Sequence, residues 1–264
     1  MKARIFKNKE GKRRRGVHLI PNILTTGNLF SGLASVLFVF HGRFEAAAIA
    51  ILIAMVFDVL DGTSARLTDS TSEFGVEYDS LSDLISFGLA PGILIYVWAL
   101  KSPGMLGAAI MFAYVACGAL RLARFNVIGS SGDSRYFMGL PIPAAAGFIS
   151  TFYIFDKHIG HLSEVVLPYV VIALTLFMSF LMVSTVKYRS MKQLKFQGQH
   201  HFMYLVWAVL ILVSVMALPQ LMLFMICLGY ATSGLLEKGW ELIKSPGKRE
   251  TASGTPQSLF NSKE

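Results

Sequence analysis

Four aspartates, Asp58, Asp61, Asp79 and Asp83, stand where strongly apolar stretches of the chain give way to a short polar one. An aspartate at the centre of a membrane helix costs about 2.5–3.5 kcal/mol on insertion scales, so such residues are rarely kept without a task. On a helix, Asp58 and Asp61 lie about 60° apart on one face, and Gly62 and Ala65 share that face at i+4 from each. Asp79 and Asp83, at i and i+4, are neighbours on the opening turns of the next helix. The connection "LTDSTSEFGVEY" is short and polar, so the two helices are expected to be antiparallel neighbours. Four carboxylates then converge in one pocket near a membrane surface. Left alone they repel; two divalent cations balance them. Hard oxygen donors of this kind suit Mg²⁺ or Mn²⁺, above all where substrate phosphates complete the shell.

The elements that position these residues are membrane helices. The chain has 264 residues, 54% hydrophobic and only 15% charged, against about 25% charged in soluble domains. Its mean hydropathy is +0.56. Taking about 20 apolar residues per crossing, the candidate spans are 22–40, 45–66, 77–100, 105–126, 142–156, 165–186, 202–217 and 220–237. The fifth is short and the last two are parted only by "LPQ", so six or seven crossings also satisfy the pattern. The first run is too long for a signal-peptide core and reads as a membrane helix. The expected fold is therefore an all-α integral membrane protein, a helical bundle of about eight transmembrane helices. A basic segment (1–20) precedes the membrane domain (21–238), and a tail (239–264), flexible toward its end, follows it.

Charge sets the orientation. Of the 24 Lys and Arg, only Arg43, Lys101 and Lys157 fall on one side of this arrangement. Lys and Arg accumulate in cytoplasmic loops, so both termini and all four aspartates are expected on the cytoplasmic side. The basic segment carries no nucleic-acid motif and no interleaved aromatics, and attraction to anionic lipid is its simpler account. Cys117 and Cys227 lie inside apolar runs and read as packing residues rather than a disulfide or a metal site. The six histidines show no zinc-like grouping.

The run Asp58-x2-Asp61-Gly62-x2-Ala65-Arg66-x8-Gly75-x3-Asp79-x3-Asp83 resembles the signature of the CDP-alcohol phosphotransferases. "HLIPNILTTGNLFSGLASV" at 18–36, "RLARFNV" at 121–127 and "GLPIPAAAG" at 139–147 are similar to stretches of the membrane-embedded phosphatidylserine synthases within that family. The resemblance implies an enzyme of phospholipid biosynthesis that joins CDP-diacylglycerol and L-serine into phosphatidylserine and CMP, with two divalent metal ions. It implies Asp58, Asp61 and Asp79 as the main ligands, and Asp83 as general base and further ligand. It implies a nucleotide and donor site at Asn22, Thr25, Asp61, Gly62, Ala65, Arg66 and Gly75. It also implies a homodimer in a bacterial cytoplasmic membrane, with the active site facing the cytoplasm.

Several residues keep two readings. Asn22 either meets the nucleotide or caps the first span, and Gly75 either admits the nucleotide or makes a turn. Arg121 and Arg124 lie about 60° apart on one helix face. They either receive the serine carboxylate through an Arg fork or anchor the helix at the interface. The same chemistry with choline, inositol phosphate or glycerol phosphate as acceptor is the alternative. A divalent-cation transporter is the alternative of another class, although its ion site is expected near the midplane.

Overall fold

The computed structural model describes residues 19–67, 72–129, 136–189 and 216–244, with single positions between 203 and 214. The basic segment up to residue 18, most of the expected span 202–217 and the tail from 245 lie outside the described residues. Among the described residues the protein is helical apart from one two-stranded ribbon, and at least four of its helices are long and apolar enough to cross a membrane.

Helix α1 (Leu19–Phe40) turns at Gly42, whose φ of +70° favours glycine, into α2 (Phe44–Leu67). Helix α3 (Glu73–Leu100) follows, then α4 (Met105–Gly129). Helix α5 (Ile142–Phe155) and α6 (Leu167–Val183) come next, and α7 (Pro219–Lys244) is the last among the described residues. Strand β1 (Tyr136–Met138) pairs antiparallel with β2 (Lys187–Arg189). This ribbon ties the segment before α5 to the segment after α6. At its root, Gly139 has a φ of +80°, and a side chain there would collide with the Met182 carbonyl.

Lipid tails are as apolar as leucine, so helices in a membrane associate through close packing of small residues and through hydrogen bonds. Helix α1 shows both. Gly27 faces the Phe57 ring of α2, which a Cβ on Gly27 would meet at 3.0 Å. Ala47, Ala48, Ala50 and Ala54 give α2 a buried small-residue face. On another side of α1, Gly32 faces Ser86 of α3. Helix α1 thus packs along both α2 and α3, whose aspartate-bearing ends barely pack against each other. The expected neighbour relation of those two ends is mediated by α1.

Helix α3 is not uniformly wound. It opens on Ser72, whose hydroxyl accepts the Gly75 N–H at 3.0 Å, a standard N-cap. Wider π turns occupy Leu84–Leu89 and Tyr96–Leu100. Pro91 has no N–H to offer the Phe87 carbonyl four residues earlier. The buried Tyr114 hydroxyl of α4 donates to that carbonyl instead, at 3.0 Å. Such turns recur near functional sites, and the first begins one residue after Asp83.

The buried core runs through α2, α3, α5 and α6, with Ile51, Phe87, Leu94, Ile142, Phe148 and Leu181 among its fully enclosed side chains. Helix α7 seals one side of α5. Its Phe224 ring lies 5.5 Å from Phe148, 5.8 Å from Phe152 and 4.8 Å from Phe155, within the range of favourable aromatic contact. Both cysteines are free, and the Cys227 sulfur lies beside Gly147 of α5.

Candidate active site

The end of α2 supplies Asp58 and Asp61, and the first turns of α3 supply Asp79. Each offers a carboxylate oxygen, and these three oxygens lie within 4.8 Å of one another. Asp79 Oδ1 is buried and has no hydrogen-bond partner among the described residues. A buried carboxylate oxygen without a partner is costly, and three convergent hard oxygens with one left open match a divalent cation. The trio can hold such an ion.

Beside the trio lies a cleft lined by Pro21, Asn22, Thr25, Asp61, Gly62, Ala65, Ser72, Gly75, Val76 and Asp79. Every residue expected at the nucleotide and donor site lines it, except Arg66. Gly62 and Gly75 differ in what they do there. A Cβ on Gly62 would meet nothing within 4 Å among the described residues, so their packing does not demand glycine and the open space belongs to the cleft. A Cβ on Gly75 would meet the Ser72 hydroxyl at 3.1 Å and Asn22 Oδ1 at 3.6 Å, which would crowd the N-cap. The Thr25 hydroxyl lies 2.9 Å from Asp61 Oδ2 and 3.0 Å from the Pro21 carbonyl, and its one hydrogen is shared between them. Arg66 is exposed, and its Nη2 donates to Thr63 Oγ1 at 3.2 Å.

Asp83 is set apart from the trio. It is buried, and Oδ1 accepts from Asn28 Nδ2 at 2.9 Å. The two arginines of α4 also separate. Arg121 is buried with its guanidinium 5.5 Å from the Phe125 ring centroid, and its Nε has no hydrogen-bond partner among the described residues. The charges of Asp83 and Asp58 act on it, and so does Tyr230 of α7. Arg124 instead donates through Nη1 to the carbonyls of Val183 and Ser184, at 3.1 and 3.3 Å. It serves the last carbonyls of α6, which have no partner within their own helix.

Three further contacts escaped the sequence reading. Asn28 holds Asp83. Ser86 Oγ donates to the main-chain carbonyl of Asn28 at 3.0 Å. The hydroxyls of Thr26 and Tyr78 meet at 3.0 Å across the mouth of the α1–α3 contact. A signal for Asn28 did exist. Thr25, Asn28, Ser31 and Ser35 recur at helical spacing along an otherwise apolar α1, and all four are buried. Such a stripe marks a face turned toward polar partners.

The chain matches the model of the CDP-alcohol phosphatidyltransferase family over residues 18–183, and it belongs to that family. It is 34% identical over 213 residues to a CDP-diacylglycerol–serine O-phosphatidyltransferase of Helicobacter pylori, covering 79% of this chain and 87% of that one. A protein of the same name from Methanocaldococcus jannaschii is 33% identical over 224 residues, covering 84% and 96%. An archaetidylserine synthase of Methanothermobacter thermautotrophicus is 42% identical over 180 residues, covering 64% and 69%.

Proposed function

We propose that the protein transfers the phosphatidyl group of CDP-diacylglycerol to the hydroxyl of L-serine, giving phosphatidylserine and CMP. The observation that carries this reading is the Asp58–Asp61–Asp79 trio opening into the cleft of Asn22, Thr25, Gly62, Ala65 and Gly75. The chain's relatives bearing serine phosphatidyltransferase names support the acceptor.

Each group then has a task. Asp58, Asp61 and Asp79 would hold two divalent ions, Mg²⁺ or Mn²⁺, together with the donor's phosphates. When bound, the ions polarise the diphosphate and neutralise charge on the departing CMP. Thr25 keeps the Asp61 carboxylate in one orientation. Gly62 leaves space for the nucleotide against the α2 backbone. Asp83 accepts the proton of the serine hydroxyl through Oδ2, since Oδ1 is engaged by Asn28. The serine oxygen forms its bond to the phosphorus carrying diacylglycerol. The bond from that phosphorus to the bridging oxygen breaks, and its electron pair leaves with CMP. Arg121, buried and with Nε open, receives the serine carboxylate. The aspartates face the cytoplasm on the argument of Lys and Arg distribution, and the homodimer implied by the family resemblance is part of the same reading.

The test is direct. Purified protein in detergent, given Mg²⁺ or Mn²⁺, CDP-diacylglycerol and labelled serine, is expected to form phosphatidylserine with stoichiometric CMP. A panel of other alcohols runs beside it. Consumption of choline, inositol phosphate or glycerol phosphate with serine untouched overturns the acceptor.

A further inference from the structure

Asn28 sits in the interior of α1 with no solvent exposure. A buried primary amide is costly unless its groups are paired, and leucine would fill the position without that cost. Here the amide is paired on its donor side, while its own Oδ1 is buried with no hydrogen-bond partner among the described residues. Its Nδ2 donates to Asp83 Oδ1 at 2.9 Å. The main-chain carbonyl of Asn28 accepts from Ser86 Oγ at 3.0 Å, on the π turn that begins just after Asp83. One turn further along α1, Gly32 abuts Ser86, where a Cβ would come within 2.6 Å of the Ser86 Cα. The α1–α3 crossing therefore sets the distance between Asn28 and Asp83 to one hydrogen bond. The reversed amide would set two oxygens against each other beside an ionised Asp83, so the donor orientation is the one retained.

We infer that Asn28 is a positioning residue for the transfer step, holding Asp83 by Oδ1 so that only Oδ2 is presented to the acceptor hydroxyl. This rests on the proposed function, in which Asp83 takes the proton. A free carboxylate rotates about its side-chain torsions and offers either oxygen. Pinned at Oδ1, it offers one oxygen in one direction. The amide can donate both to a carboxylate and, more weakly, to the carbonyl-type oxygen of a carboxylic acid protonated at Oδ2. The bond therefore persists through proton transfer, and Asn28 is not consumed. Asn28 does not line the nucleotide cleft, so its effect falls on the acceptor side of the reaction.

The test compares the full-length protein with Asn28→Ala and Asn28→Leu, measuring kcat, serine KM and Mn²⁺-dependent binding of CDP-diacylglycerol. Hydrogen bonds to charged groups carry enough energy for a ten- to hundredfold change. The expected result is a fall in kcat of that size in both variants, with donor affinity within threefold of the parent and a smaller change in serine KM. A structural role would be met by leucine, which keeps the packing. Asn28→Leu with kcat within threefold of the parent overturns the inference. So does parallel loss of donor affinity, or aggregation of both variants on size exclusion, since Asn28 is then a packing residue. A parent protein that makes no phosphatidylserine removes the proposed function and this inference with it. An active parent with active variants removes the inference alone.

Discussion

Gly32 of α1 and Ser86 of α3 approach so closely that a Cβ on the glycine would stand 2.6 Å from the serine Cα. The atom in the way is backbone, so no rotamer change relieves the clash. Gly32→Ala is expected to push α1 off α3 and to destabilise the protein by about 1–3 kcal/mol, the usual cost of overpacking. The measurement is thermal unfolding in detergent. An unchanged midpoint with full activity would show that the crossing yields without consequence.

The aspartates are expected to divide by role. Asp58→Asn or Asp79→Asn removes charge from the trio, so Mn²⁺ binding weakens and activity falls by orders of magnitude. Asp83→Asn is expected to abolish transfer while sparing most Mn²⁺ and donor binding. Equal loss of metal binding in all three variants would make Asp83 chiefly a ligand.

Removal of metal gives an independent check. Chelation with EDTA is expected to stop CMP release completely, and Mg²⁺ or Mn²⁺ to restore it, while Ca²⁺, which takes more ligands at longer distances, restores little. Full activity after exhaustive chelation would contradict the role given to the trio.

Arg121 and Arg124 are expected to separate cleanly. Arg121→Lys keeps the charge and loses the planar fork, so the serine KM rises ten- to hundredfold with donor affinity little changed. Arg124→Ala removes the donors to Val183 and Ser184, so it lowers the unfolding temperature and leaves the serine KM within twofold. The reverse pattern would exchange the two roles.

Much of the site was legible because charge inside apolar sequence is rare and its spacing is rigid. Asp58, Asp61 and Asp79 fall at helical intervals on either side of one short loop, and their convergence followed from that. The role of α1 as the piece between α2 and α3 was not legible. Small residues such as Gly27 and Gly32 indicate close packing without saying against which helix. Nor were the π turns of α3, since a segment such as "LISFGLAPGILI" is nearly all apolar and carries no periodic contrast to reveal a change of winding. The part Arg124 plays at the end of α6 was not legible for another reason. Its partners are main-chain carbonyls, which every residue has and no side-chain pattern advertises.

Orientation is testable with single cysteines in a chain whose Cys117 and Cys227 are replaced by serine. Ser102→Cys, in the turn between α3 and α4, is expected to react with an impermeant maleimide added outside intact cells. Cysteines placed at 5–15 and 250–260 are expected to stay unlabelled. Labelling at either end would invert the arrangement derived from Lys and Arg distribution.

The family match stops at residue 183, yet Phe224 of α7 sits among the rings of Phe148, Phe152 and Phe155. The stretch that the family model matches is thus shorter than the stretch that must be synthesised before α5 is fully covered. During translation, the aspartates, the cleft and Arg121 are all made while one wall of the bundle is still bare. Completion of the protein waits for a helix that contributes none of the aspartates.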